Sequence, residues 1–224
     1  MAIVGVDRVT YGVEDLALCA RYFTDWGLRQ VRETPTGIDF ETHNGGEVQL
    51  RRKDDPALPT AIEAGSTARE IVWGVESEAD LARLRAALPG TPGFRDEGAS
   101  ITCTDPNGLG LRFRLTTRRK IDVHGVASNV WGAPPLRVDA PSPVYERGDP
   151  VEIGHVVFFT PNLDEVEAFY TSKLGFVVSD RYVGRSHFLR CDAYGGHHDI
   201  LFVKLPTGRR GLNHVAFSVR DIHE

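Results

Sequence analysis

The sequence has 224 residues, of which 41% are hydrophobic and 25% charged, an ordinary globular composition that argues against a disordered chain. Its 26 basic and 31 acidic residues leave a formal charge of -5, which excludes the basic surface a nucleic acid partner wants. No apolar run approaches the roughly 18 residues of a membrane span, the N-terminus has no secretory signal pattern, and three cysteines (Cys19, Cys103, Cys191) are too few for a disulfide framework, so a cytoplasmic protein without membrane partners is expected.

In chain order, four segments share one strand-like pattern rich in β-branched and aromatic residues: Val6 to Val13, Arg69 to Val75, Ile153 to Thr160 and Leu212 to Val219. An amphipathic helix is predicted after each of the first three. Leu16, Cys19, Ala20 and Phe23 share one face and end near Gly27, and Leu81, Leu84 and Leu88 end at Pro89-Gly90. Leu163, Val166, Tyr170 and Leu174 form the third face, with Asn162 and Glu165 at capping-box spacing and Gly175 as the stop. Shorter strands then follow, near 29–33, 38–42 and 47–51 in the first copy and near 176–181, 187–191 and 200–204 in the third. In the second copy Ser100 to Thr104 and Leu109 to Leu115 flank an Asp105-Pro-Asn-Gly108 turn. The fourth pattern stops after one strand.

The fold class is therefore α+β, with four tandem βαβββ units paired into two curved-sheet domains and the fourth unit incomplete. Aligned on their third strand residue, the copies fall at Arg8, Ile71, His155 and His214, spaced by 63, 84 and 59 residues. The long middle step contains Pro134, Pro135, Pro141, Pro143 and Pro150, a density that suits an extended linker. The expected domains are 1–140 and 141–224. Four full units at this spacing need several tens of residues more, so the chain reads as an incomplete one.

Of eight histidines, six lie from residue 155 onward. Repeat-equivalent positions in a pseudo-symmetric pair should bring His155 and His214 to one inner face. Imidazole pairs suit Fe(II) or Zn(II), and a carboxylate as third ligand would complete a facial triad. His197-His198 follows two glycines and precedes a strand. Only one of the two can face inward, where an imidazole suits proton transfer near neutral pH. Val157, Phe159 and His187 are candidates for the substrate pocket. His43, His124 and His223 read as surface residues, Cys103 and Cys191 as buried packing residues, and the runs 51–53 and 118–120 as solvated charge.

With these residues in view, the sequence resembles the vicinal oxygen chelate superfamily, most closely its two-domain type I extradiol ring-cleavage dioxygenases. The resemblance runs most specifically from Gly154-His155-Val-Val-Phe through Phe169-Tyr170, Leu174-Gly-Phe176 and His197-His198 to Leu212-Asn-His214-Val-Ala-Phe. It implies a degenerate, metal-free N-terminal pair of units, with Arg8, Ile71 and Arg112 at the ligand positions. It also implies a C-terminal pair holding Fe(II) on His155, His214 and a glutamate expected beyond Glu224, with His198 as the acid–base histidine. The implied reaction is cleavage of a catecholic ring with O₂ in a homo-oligomeric enzyme. A small-molecule sequestering protein of the same fold, and a glyoxalase-type metal-dependent isomerase or lyase, are the alternatives.

Overall fold

The computed structural model describes residues 3–126, 131–135, 139, 141–191 and 196–224. The first unit is β1 (Ile3–Val13), α1 (Leu16–Asp25), β2 (Arg29–Thr34), β3 (Gly37–Glu41) and β4 (Glu47–Arg52). The second is β5 (Thr67–Val75), α2 (Glu78–Ala87), β6 (Arg95–Asp96), β7 (Ser100–Thr104) and β8 (Gly110–Leu115). The third is β9 (Glu152–Phe159), α3 (Leu163–Leu174), β10 (Val177–Tyr182), β11 (Ser186–Arg190) and β12 (Ile200–Val203), and a fourth opens with β13 (Gly211–Ser218). They build two curved, unclosed sheets, of order β2-β3-β4-β1-β5-β8-β7-β6 and β10-β11-β12-β9-β13. Among the described residues no helix is long and apolar enough to cross a membrane.

Each unit wraps in the same sense because its first strand pairs in parallel with its own last strand and antiparallel with the first strand of the next unit: β1 with β4 and β5, β9 with β12 and β13. Side-chain alternation then divides each sheet into two faces. One face of each packs its apolar residues under helices. Val9, Ile71, Trp73 and Leu111 of the first sheet and Leu84 of α2 join Val156, Phe158 and Phe202 of the second sheet and Val166 and Tyr170 of α3 in a single core. Trp73 meets Phe176 edge-on at 5.0 Å between ring centroids. A smaller core under α1 gathers Phe23, Phe40, Val48 and Leu50.

The helix ends follow local chemistry. Asp15 caps α1 by accepting from the Leu18 amide at 2.9 Å, leaving one fewer unpaired amide in the first turn. Gly175 ends α3 at φ 76°, a left-handed conformation open to glycine. The expected capping box at α3 does not form. Asn162 makes no side-chain bond to a helix amide, and its Nδ2 donates instead to Glu165 Oε2 at 3.1 Å.

The turn after β7 joins the two sheets. Asp105, fully buried in its surroundings, accepts from the Leu109 amide at 2.9 Å and from the Tyr170 hydroxyl at 3.2 Å. Burial pushes its carboxyl up to about 7. Next to it, Asn107 Nδ2 donates to the Phe159 carbonyl at 3.0 Å.

The two basic runs are not simply solvated. Arg51 Nη1 lies 2.6 Å from Asp39 Oδ1. Arg118 Nε lies 3.4 Å from the wholly buried Asp7 carboxylate, and the same guanidinium donates to the Val4 carbonyl. A buried carboxylate needs a cation or several donors, and that need draws the arginines inward.

Candidate functional site

β9 and β13 are neighbours, and the pairing between them decides where their side chains point. His214 is opposite Val157, and Ala216 is opposite His155. One extra residue, Asn213, is accommodated between Leu212 and His214. Without that bulge His214 would fall opposite Val156 and face the apolar core. With it His214 takes the face of His155 and Val157.

On that face the two imidazoles converge, with His155 Nε2 3.2 Å from His214 Nε2. Two imidazole nitrogens bound to one ion at about 2.0–2.1 Å, at right to tetrahedral angles, are themselves about 2.8–3.4 Å apart. The pair therefore fits a shared divalent metal ion. Asn213 Oδ1 lies 2.8 Å from His214 Nδ1. An amide oxygen only accepts, so Nδ1 carries the proton and Nε2 presents its lone pair. His155 is pushed down to about 4, first by burial and then by the neighbouring His198 and His214. It is neutral at pH 7, as a ligand must be. Among the described residues no group of three or more His, Cys, Asp or Glu side chains is arranged to hold a metal. Glu224 belongs to no such group; its Oε2 accepts from the Arg220 amide at 2.9 Å and its Oε1 is buried without a hydrogen-bond partner.

His198, just before β12, sets its ring 4.2 Å from that of His155, the two planes tilted by 43°. Its Nε2 is buried without a partner, while its Nδ1 lies 3.1 Å from His197 Nδ1. Burial first, then His197 and His214, depress its basicity. Of the tyrosine and two glycines before the doublet, Tyr194 and Gly195 lie outside the described residues, and Gly196 is described. Phe188 of β11 holds both rings of the doublet edge-on, at 5.1 and 5.2 Å. Sequence reading missed Phe188. Its signal was alternation, which sets it on the opposite face from His187.

Val157 is buried between the two histidine-bearing strands. Phe159, two residues on, shares its face, and the Arg209 guanidinium covers its ring at 4.4 Å. His187 does not join them. It is paired with Phe202 on the helix side of the sheet, and its Nδ1 lies 2.8 Å from Glu167 Oε2 of α3, a carboxylate also clamped by Arg181. His187 thus lies on the opposite face of the sheet from Val157 and Phe159. Of the remaining histidines, His43 is paired with Asp149 at 2.5 Å, and His124 and His223 are exposed.

The first sheet carries the same geometry with different chemistry. β5 holds an extra residue at Arg69, just as β13 does at Asn213, so Glu70 is opposite Thr10 as His214 is opposite Val157. The residue equivalent to His214 is thus Glu70, and Ile71 points into the core. Arg8, equivalent to His155, lies 3.1 Å from Glu70 Oε2, and Arg112 lies 3.1 Å from Glu70 Oε1 and 2.5 Å from Glu97 Oε2. An arginine–glutamate network stands where the second sheet has imidazoles.

Comparison with known proteins agrees with this architecture. Residues 152–224 match the Glyoxalase/Bleomycin resistance protein/Dioxygenase superfamily. Metapyrocatechase 2 of Cupriavidus necator is 26% identical over 228 residues, covering 100% of this chain and 68% of the relative. The Mn(II)-bound glyoxalase from Novosphingobium aromaticivorans superposes with a TM-score of 0.66 at 26% identity, covering 96% of this chain and 65% of its own. BphC, a halotolerant catechol dioxygenase, superposes with a TM-score of 0.68 at 17% identity, covering 99% and 72%. The chain spans about two thirds of the length of these proteins. Residues 152–224 thus resemble the Glyoxalase/Bleomycin resistance protein/Dioxygenase superfamily, and over 99% of its length the chain shares the fold of BphC.

Proposed function

We propose that this protein is an extradiol dioxygenase that cleaves a catecholic ring with O₂, using Fe(II) held by His155 and His214. The observation that carries the reading is the convergence of the two Nε2 atoms at 3.2 Å beside the unpartnered Nε2 of His198. The similarity to curated ring-cleaving dioxygenases supports the reaction class. The reading requires a third protein donor, which none of the described residues supplies. It also takes residues 1–140 and 141–224 as separate domains, only the second being catalytic.

Fe(II) held by His155 and His214 would supply Lewis acidity and one-electron chemistry toward O₂. The remaining work falls to the chain. Asn213 keeps the His214 proton on Nδ1 and so aims its Nε2 lone pair. His198 is held by Phe188 and His197, with Nε2 free to take a proton from a catechol hydroxyl and return it later. Its depressed basicity keeps it neutral at pH 7 and thus able to accept. Val157 and Phe159 give the site an apolar floor for the ring.

Anaerobic loading of the full-length protein with Fe(II), followed by a panel of catechols and O₂, tests the proposal. A ring-opened product that absorbs visible light is expected. No such product from any catechol would count against it. The similarity to a Mn(II)-bound glyoxalase favours a second reading, a metal-dependent isomerase or lyase. Turnover of a substrate of that type without O₂ would select it.

A further inference from the structure

The bulges that aim Glu70 and His214 are both held by one segment, residues 53–66. Arg69, the extra residue of β5, donates from Nε to the Pro59 carbonyl at 2.6 Å and from Nη1 to the Lys53 carbonyl at 2.9 Å. On the other sheet the Leu212 amide, one residue before the extra Asn213, donates to Glu63 Oε1 at 2.7 Å. The Glu63 carboxylate is itself oriented. The Thr67 hydroxyl donates to Oε1 at 2.6 Å, and Arg209 Nη2 lies 3.5 Å from Oε2. Gly211 lies directly against it at φ 141°, where a Cβ would overlap the carboxylate. A carboxylate from the first half of the chain is thus seated in a notch made by glycine at the start of the strand that bears His214.

Register gives this contact its consequence. If Asn213 entered the regular ladder, His214 would slip by one residue and turn to the core face. A charge-assisted bond to the amide beside the bulge opposes that slip. We propose that Glu63 is a positioning residue for His214, pinning the Leu212 amide and with it the bulge that turns His214 toward His155. The functional weight of the proposal rests on the reading of those two histidines as a metal pair. It also gives the first half of the chain, which has an ion-pair network in place of imidazoles, a part in shaping the site of the second.

The test compares the native full-length protein with Glu63→Ala, Glu63→Gln and Glu63→Asp. The first readout is the ring ¹⁵N spectrum of histidine-labelled, metal-free protein at fixed pH. Native His214 is expected to show one tautomer with the proton on Nδ1. Glu63→Ala should average it, and Glu63→Gln should preserve it, because the amide oxygen still accepts from Leu212. Glu63→Asp, which retracts the carboxylate by one methylene, should move in the direction of Ala and serves if Ala does not fold. The second readout is Mn(II) affinity from the signal of the free ion. Glu63→Ala is expected to weaken binding by about 10- to 100-fold, the usual effect of removing a group that orients a ligand. An unchanged His214 spectrum in Glu63→Ala, or an altered spectrum with native affinity, overturns the proposal. A His155→Ala protein that keeps native Mn(II) affinity overturns the metal-pair reading instead, and the His214 spectra then still decide the role of Glu63.

Discussion

Arg8 meets Glu70 across the first sheet at 3.1 Å in the register positions where His155 meets His214 across the second at 3.2 Å. Both pairs bridge the opening strands of consecutive units, and in both a one-residue bulge turns the second partner onto the inner face. The first sheet thus fills this position with opposite charges that satisfy each other. The second sets two imidazole nitrogens side by side at the same place.

The charged pair should behave as a buried network. Glu70 is 8% exposed in its side chain and serves both Arg8 and Arg112. Glu70→Ala leaves Arg8 with Glu47 at 3.6 Å and Arg112 with Glu97 as their remaining carboxylates, and should cost about 1.5–3 kcal/mol in urea denaturation. Replacing Arg8 by Met and Glu70 by Leu together should cost less than Glu70→Ala alone. A double variant less stable than the single would show that packing, not charge balance, dominates there.

What the sequence could reveal has a clear boundary at these bulges. The four strand–helix beginnings were legible because apolar periodicity is a local signal: Leu163, Val166, Tyr170 and Leu174 do share the buried face of α3. His155, His214 and His198, which the fold brings together, could be singled out because the chemistry of imidazole marks them wherever they fall. The equivalence of Glu70 with His214 was not legible. It depends on the extra residue at Arg69, and the groups that hold it, the carbonyls of Lys53 and Pro59, lie 10–16 residues away in sequence. The face taken by His187 was illegible for a related reason. A short strand with alternating residues has two possible phases, and only the contact of Phe188 with His198 and of His187 with Glu167 selects between them.

The two faces of β11 make opposite predictions for two neighbouring residues. His187→Ala should leave Mn(II) affinity unchanged and lower thermal stability, because it removes the partner of Glu167. Phe188→Ala should preserve the α3 packing but loosen the His197–His198 doublet. Calorimetric unfolding and metal titration of both proteins check this. Loss of metal affinity in His187→Ala would return that residue to the site.

The Asp105–Tyr170 contact predicts a pH dependence of stability. The folded carboxyl, pushed up to about 7 by burial, sits above the value of about 3.9 it has in an unfolded chain. Between those values the unfolded chain ionises while the folded one keeps its proton, so stability falls as pH rises from about 4 and levels off above about 7. Asp105→Asn removes this titration and should flatten the profile over that window. Denaturant midpoints from pH 4 to 8 provide the measurement. Identical slopes in the two proteins would show that Asp105 is ionised throughout.

The role of His198 is separable from metal holding. Its Nδ1 is engaged by His197, and its Nε2 is buried and unpartnered beside the His155 ring. If it moves a proton rather than binding the ion, His198→Gln should leave Mn(II) affinity unchanged while turnover of an active catechol drops by about 10²- to 10⁴-fold, the ordinary contribution of general acid–base catalysis. His155→Ala and His214→Ala should instead lose the metal and turnover together. The contrast is a strict one, because the three imidazoles lie within a few ångströms of each other and differ only in where their nitrogens point. A His198→Gln protein that lost its metal would make His198 a ligand and remove the proton-transfer assignment.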